Sequence, residues 1–253
     1  AYDPEADTWR TLAKPPPETN GYTLGAVWTG TEVLVVSAVE DARYSITALR
    51  LFAYDPDTDT WSRRADPLFG DRIGHLAWSG THLVAWTTGF TAPAYTDQGQ
   101  IYDPADDTWT ELPPLPGEHR PTYASAVWAG DQIVVWGNDQ TDDTAAVGYR
   151  WRRGDESWRP MAPAPIAPVS WGEWTPGSQS LGFDERTGRV IVVSLHRGDD
   201  GTVRPLLAYD PVQDDWTDLG TAPGLGYSQP MLVADDLVLQ PARDVPIAFR
   251  LSS

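Results

Sequence analysis

The residues best placed to do chemistry in this chain are carboxylates, a few histidines and an unusual number of aromatics. Asp55-Pro56-Asp57-Thr58-Asp59 has the alternating oxygen donors of a calcium loop. Such a loop also needs glycine at its sixth position and a bidentate glutamate at its twelfth. Thr60 and Asp66 stand there instead. The pattern returns as Asp3/Glu5/Asp7 and as Asp103/Ala105/Asp107, so it follows a repeat. It reads as a hairpin turn in which aspartate side chains accept backbone N–H groups. The histidines show no metal-ligand spacing. His82 shares a turn position with Glu32 and Gln132 and is expected in solvent; His119 falls in a loop and His196 after a strand. His75 differs, because the matching positions elsewhere hold Gly25, Ser125, Ser180 and Pro230. No metal and no cofactor is expected.

Catalytic sets are incomplete. There is no G-x-S-x-G, no H-E-x-x-H and no glycine-rich phosphate loop. Glycoside hydrolysis needs two carboxyl groups, and Glu173, between Trp171 and Trp174, is the one acid in a distinctive aromatic setting. Cysteine is absent, which excludes thiolate catalysis, disulfides and cysteine-ligated zinc. The reading leans away from an enzyme. Its alternative is an enzyme acting on a sugar or small molecule (an epimerase, lyase or hydrolase) with Glu173 or His75 as acid or base.

The elements that carry these residues are set by a repeat. Tyr2-Asp3-Pro4 leads to Trp9, Tyr54-Asp55-Pro56 to Trp61, Tyr102-Asp103-Pro104 to Trp109, and Tyr209-Asp210-Pro211 to Trp216. Tyr149 leads to Trp158 in a degenerate copy. The tryptophans are spaced by 52, 48, 49 and 58 residues. A second series, Trp28, Trp78, Trp128, Phe183 and Val233, precedes short polar turns and β-branched runs such as Val33 to Val36 and Ile133 to Trp136. Apolar run, tight turn, apolar run is a β-hairpin. No sustained 3.6-residue period argues for helix. Each unit therefore reads as four strands, a to d. Strand a ends at the second series, with Trp78 expected in the core; strand c runs into Tyr-Asp-Pro, and d starts near the next Trp.

A four-stranded sheet of about 50 residues cannot bury both faces alone, and radial packing of such sheets gives a β-propeller. The sequence holds five a, five b and five d strands and six c candidates, the last being Ile247 to Leu251. The expectation is one domain over residues 1–253, an all-β five-bladed propeller of four-stranded antiparallel blades. It closes when the N-terminal strand, around Thr8 to Leu12, joins the C-terminal blade.

Tyr-Asp-Pro-x-x-Asp-x-Trp, followed by proline-rich turns such as Leu112-Pro113-Pro114-Leu115-Pro116, resembles the kelch repeat. The resemblance covers essentially the whole chain. It departs in lacking the Gly-Gly doublet after strand b, where Ser37-Ala38, Thr87-Thr88, Gly137-Asn138, Ser194-Leu195 and Gln240-Pro241 stand, as in a divergent bacterial-type branch. It implies a propeller fold. Kelch-like copper-radical oxidases depend on a cysteine crosslinked to tyrosine, which this chain cannot form.

In a propeller the d–a and b–c loops open on one axial face, where several blades converge. The d–a exits carry Tyr22, Arg72, His75, Arg120, Tyr123, Trp171, Glu173, Trp174, Tyr227 and Gln229. Aromatics beside Arg, Glu and Gln suit sugar rings and protein hot spots. The insert from Pro163 to Ser178 departs most from the repeat. The function read from these residues is a binding module that takes a glycan, peptide or protein partner at that face. Net charge is −18 and no Lys/Arg cluster stands out in the sequence, which disfavours nucleic acid and anionic membranes. No apolar run reaches 18 residues, so no membrane span is expected. No signal peptide is visible, although the chain begins in mid-repeat. A monomer in an extracytoplasmic or secreted setting is expected, otherwise a cytoplasmic one.

Overall fold

The computed structural model describes residues 1–251 except 4, 20–22, 42–45, 70–72, 88–97, 143–144, 166–178, 195, 199–200, 204, 223–231, 235–236 and 241–246. The chain opens with a hairpin, β1 (Tyr2–Asp3) and β2 (Thr8–Trp9), and one 3-10 turn, Pro17–Thr19. The first full sheet runs in sequence order, β3 (Thr23–Trp28), β4 (Val33–Glu40), β5 (Ile46–Asp55) and β6 (Thr60–Arg63). The second is β7 (Ile73–Trp78), β8 (Leu83–Thr87), β9 (Gly99–Asp103) and β10 (Thr108–Glu111). The third is β11 (Pro121–Ala129), β12 (Gln132–Asp139), β13 (Ala146–Arg152) and β14 (Arg159–Pro160). In the fourth, β15 (Gln179–Asp184) and β16 (Arg189–Ser194) are followed by an inserted hairpin, β17 (His196–Gly198) and β18 (Gly201–Val203), before β19 (Pro205–Asp210) and β20 (Asp215–Thr221) complete the sheet. The last is three-stranded, β21 (Leu232–Ala234), β22 (Leu237–Gln240) and β23 (Ile247–Arg250). All the ladders are antiparallel, and the first strands of successive sheets lie side by side.

The strands alternate what they face, and that alternation builds four cores in series. Leu83 and Ala85 of β8 pack with Leu34, Val36 and Leu51 of the first sheet. Val84 and Trp86 of the same strand pack the other way, with Ile133, Val135 and Trp158. Val134 and Trp136 meet Val190, Val192 and Leu207, while Ile191 and Val193 meet Val238 and Leu251. Period-two alternation in a strand buried on both faces produces this arrangement. Two glycines make room for the largest side chains. Gly99 pairs with Trp86 and Gly148 with Trp136, and a Cβ at either glycine would stand 2.8 Å from an indole carbon.

The Tyr-Asp-Pro…Trp motif is the joint between sheets. In the turn, Asp55 Oδ1 accepts the N–H groups of Asp57 and Thr58, and Asp210 Oδ1 those of Val212 and Gln213. These aspartates act on the backbone, as expected. The second aspartate of each unit, Asp7, Asp59, Asp107 or Asp214, holds φ between 52° and 58°, a region aspartate tolerates better than most residues. There it accepts the tyrosine hydroxyl of its own unit, at 2.7 Å for Tyr2, 2.5 Å for Tyr54, 2.7 Å for Tyr102 and 2.6 Å for Tyr209. It also reaches into the preceding unit. Asp59 accepts Ala13 N–H at 2.9 Å, Asp107 accepts Ala65 N–H at 2.8 Å, and Asp214 accepts Ala162 N–H at 2.9 Å. The tryptophan two residues on donates Nε1–H to the carbonyl of the same alanine: Trp61 to Ala13, Trp109 to Ala65, Trp216 to Ala162. One residue per unit thus has both backbone groups held by the next unit.

The degenerate unit keeps only the half of this clamp that its neighbour can use. The clamped residue is Pro113, which has no N–H. Trp158 still donates to its carbonyl, at 2.6 Å. Gly154 stands five residues after Tyr149 and Glu156 two before Trp158, so neither count finds an aspartate. Tyr149 instead donates its hydroxyl to the carbonyls of Pro116 and His119.

Among the described residues there are five a, five b, six c and five d strands, the number expected. The expected closure of N-terminus onto C-terminal sheet has no ladder among the described residues: β2 pairs with β1, and β23 is the last strand of its sheet. Trp9 is 79% exposed, where Trp109 and Trp158 are buried.

Asp107→Ala leaves Ala65 N–H and the Tyr102 hydroxyl without their acceptor and should cost about 1–3 kcal/mol in urea unfolding. Glu156→Ala, at the degenerate unit, should stay within about 0.5 kcal/mol of the parent. Equal effects would mean that the aspartates merely shape turns.

Candidate functional site

Among the described residues, a large concavity lies where the inner strands end. β7, β11, β15 and β21 run side by side, and their last residues and turns enclose about 640 Å³. Register puts Trp78, Trp128, Phe183 and Val233 at equivalent strand ends, directly before the turns. The turns are fixed locally. Ser79 Oγ accepts the N–H of Thr81 and His82, Thr29 Oγ1 does the same for Thr31 and Glu32, and Gly80 and Gly130 supply φ of 88° and 70°. Trp128 Nε1–H donates to Gly130 O at 2.6 Å, which ties that indole to its own turn.

These positions correct the expectation for Trp78. It is half-buried and lines the cavity, and Trp28, its counterpart on β3, is 53% exposed. The most deeply buried indoles are Trp86 and Trp136 on the second strands, each 1% exposed. Trp78 packs against the core between the first two sheets and also borders the opening, so it is covered only in part.

His75 lies deeper in the same cavity. Its Nε2 stands 3.3 Å from Ser125 Oγ of the neighbouring strand. Ser125 and Ser180 occupy the same register on β11 and β15, and both are buried. Burial pulls the imidazole pKa down to about 4, so His75 is neutral near pH 7. A neutral imidazole beside a hydroxyl can orient a polar group. It is a weak base, and no carboxylate bonds it among the described contacts. Glu185 sits at the cavity mouth, exposed.

Of the expected site residues, His75 and Arg120 are described. Tyr22, Arg72, Trp171, Glu173, Trp174, Tyr227 and Gln229 lie outside the described residues; Tyr123 is on β11, with its side chain outside them too. Arg120 does not reach His75's cavity; its Nε reaches toward Gly117 O at 3.5 Å. The pairing of His75 with Glu173 therefore lies outside the described residues.

Two other histidines gain roles from partners that are distant in sequence. His82, expected in solvent, is 8% exposed and contacts Asp103 Oδ2 at 3.1 Å and Arg153 Nη1 at 2.6 Å. Arg153 comes from the next unit, 71 residues on, so this contact joins the second and third sheets. His119 contacts buried Asp139 at 2.6 Å. Burial alone would raise the Asp139 carboxyl, but hydrogen bonds from Thr141 and His119 outweigh it and hold the pKa below the usual range. Among the described residues no cluster of three His, Cys, Asp or Glu could hold a metal ion, and no helix is long and apolar enough to cross a membrane.

Arg150, Arg152 and Arg159 line a second, smaller concavity. Three of the four residues from Arg150 to Arg153 are arginine, which corrects the expectation that no Lys/Arg cluster stands out in the sequence. The signal is the run Arg150-Trp151-Arg152-Arg153 in the one degenerate unit, in a chain with 18 basic residues in all.

No protein-family model matches the chain. It is 28% identical to the Homo sapiens kelch repeat and BTB domain-containing protein 13, across 63% of this chain and 34% of that protein. The chain thus spans about a third of the length of that curated relative. Among solved structures, TolB from Acinetobacter baumannii superposes with a TM-score of 0.54 at 10% identity, over 90% of this chain and 51% of that one. That likeness concerns the fold.

The lowered His75 pKa sets a sign. The unfolded chain binds a proton near pH 6.5 that the folded chain binds only near 4. The unfolded state therefore takes up more protons between those values, and stability falls as pH drops through that window. His75→Gln should flatten the fall between pH 6.5 and 4 in urea titrations. An unchanged slope would place the imidazole in water.

Proposed function

The chain is a kelch-like β-propeller, and from that premise we propose that it is a binding module whose ligand enters the cavity between the inner strands. The observation that carries this reading is the cavity rim itself. Trp78, Trp128 and Phe183 stand at one level of neighbouring strands, presented to a concavity of about 640 Å³. Half-buried aromatics at a concavity supply large contact area at low entropic cost, for a sugar ring or a peptide side chain alike. Neutral His75 and the Ser125 hydroxyl below them would fix the orientation of a polar group. The rim lies at the turn joining each first strand to its second, the opposite end from the d–a exits. Those exits, with Arg120, Trp171 and Glu173 among them, are retained as a second binding surface in this reading.

An enzyme with His75 as acid or base remains the alternative, favoured by its contact with Ser125 inside the cavity. We further propose that residues 1–253 form one monomeric domain, a ring of five blades in which the N-terminal hairpin completes the last sheet. Five sheets separated by four cores support it, because a fifth interface would close the circle. An extracytoplasmic setting belongs to the same reading, resting on the acidic, cysteine-free composition.

Immobilised glycan and peptide arrays test the site. The parent protein should retain a ligand that Trp128→Ala binds at least tenfold more weakly, with a melting temperature within a few degrees. Retention by both proteins alike would remove the cavity from the function. Trp86→Ala serves as the contrast and should cost about 3–5 kcal/mol of stability.

Deletion of residues 1–10 tests closure. It leaves the Ala13 clamp in place, yet should lower the melting temperature by more than about 5 °C if the hairpin seals the ring. An unchanged melting temperature would contradict closure.

A further inference from the structure

In the four regular units the residue after the tyrosine is Asp3, Asp55, Asp103 or Asp210, paired across the hairpin with Thr8, Thr60, Thr108 or Asp215. In the degenerate unit that pair is Arg150 and Arg159. Arg152 lies two residues along β13, on the same face, and pairs with buried Gln132 of β12. Like charges directly opposite one another destabilise a sheet. An arginine pair at this place, in a chain of net charge −18, needs compensation.

Carboxylates at the margin supply part of it. Asp214 is 3.0 Å from Arg150, and Asp155 is 3.5 Å from Arg159. Asp131 is 3.2 Å from Arg152 Nε, although off the line that a hydrogen bond requires. Among the described residues, Arg150 Nε and Arg152 Nε are buried with no hydrogen-bond acceptor. Leaving such donors unmade is costly. The three guanidiniums and Gln132 surround a cavity of about 180 Å³, the scale of a small ion.

We propose that this cavity between the third and fourth sheets binds a tetrahedral oxyanion, a phosphate or phosphoryl group held by Arg150, Arg152 and Arg159. Guanidinium forks match phosphate oxygens two at a time, and an anion with several acceptors offers the missing partners of the buried Nε groups. The net negative charge of the chain acts at longer range, and at physiological salt it is screened beyond about 8 Å. Asp155, inside the site, competes with the ligand for Arg159. Arg150 also straps the two sheets together, since its Nη1 donates to Pro211 O at 2.6 Å. It is therefore left intact in the test.

The test is calorimetric titration of the whole chain with inorganic phosphate at constant ionic strength, and in parallel with a short phosphoserine peptide. Saturable binding is expected. Arg159→Gln should weaken it at least tenfold, with the melting temperature in phosphate-free buffer unchanged, since that side chain is 62% exposed. Asp155→Asn should tighten binding about threefold to tenfold, which a purely structural ion-pair network would not do. Tighter binding of the peptide identifies a phosphorylated partner, and tighter binding of free phosphate a small-molecule ligand. Absence of saturable binding in both arms, or affinities unmoved by both substitutions, overturns the proposal.

Discussion

Everything in this fold depends on one residue per unit whose N–H and C=O are both held by the next unit. Ala13, Ala65 and Ala162 lie just past a fourth strand, where the chain leaves its sheet and its backbone groups lose their ladder partners. Buried polar groups must be paired. The following Asp and Trp take the two groups together, so the spacing between sheets is set by hydrogen bonds as well as by packing. At positive φ the Asp accepts the hydroxyl of its own tyrosine and, in three units, the N–H of the neighbouring alanine as well. Pro113 gives the internal control. Where the donor is missing the acceptor is missing, and the tryptophan bond persists.

Fixing successive sheets this way places the inner strands in common register. That register brings strand ends together as an aromatic rim and sets His75, Ser125 and Ser180 at one depth beneath it. It also frees the degenerate unit. Arg150 stands there in place of the first aspartate of the regular units, with Arg159 opposite it across the hairpin, and the second concavity forms. The two candidate binding sites thus arise from opposite causes, one from strict repetition and one from its local failure.

The architecture is legible in the sequence because a period near 50 residues and turn chemistry at fixed offsets are properties of the linear chain. Trp78 is read only in part from sequence: it packs against the first core yet lines the cavity, because periodicity marks a strand end without saying how fully a neighbouring sheet covers it. His82 is misjudged because its partner Arg153 is 71 residues away. The arginine site is half legible: the run Arg150 to Arg153 is visible along the chain, whereas Arg159 meets Arg150 only across a hairpin and Gln132 joins from a third strand. The alanine clamp is half legible. The Trp is marked by its regular spacing, whereas the Asp reads only as a turn former, since nothing in the linear sequence shows it reaching into the previous unit.

Amide hydrogen exchange at Ala13, Ala65 and Ala162 tests this clamp most directly. These residues belong to no strand, so ladder pairing cannot protect them. The clamp predicts exchange slowed to rates comparable with the core strands, with protection at Ala65 lost in Asp107→Ala while the β8 amides remain protected. Exchange of all three amides at the rate of open loops would contradict it.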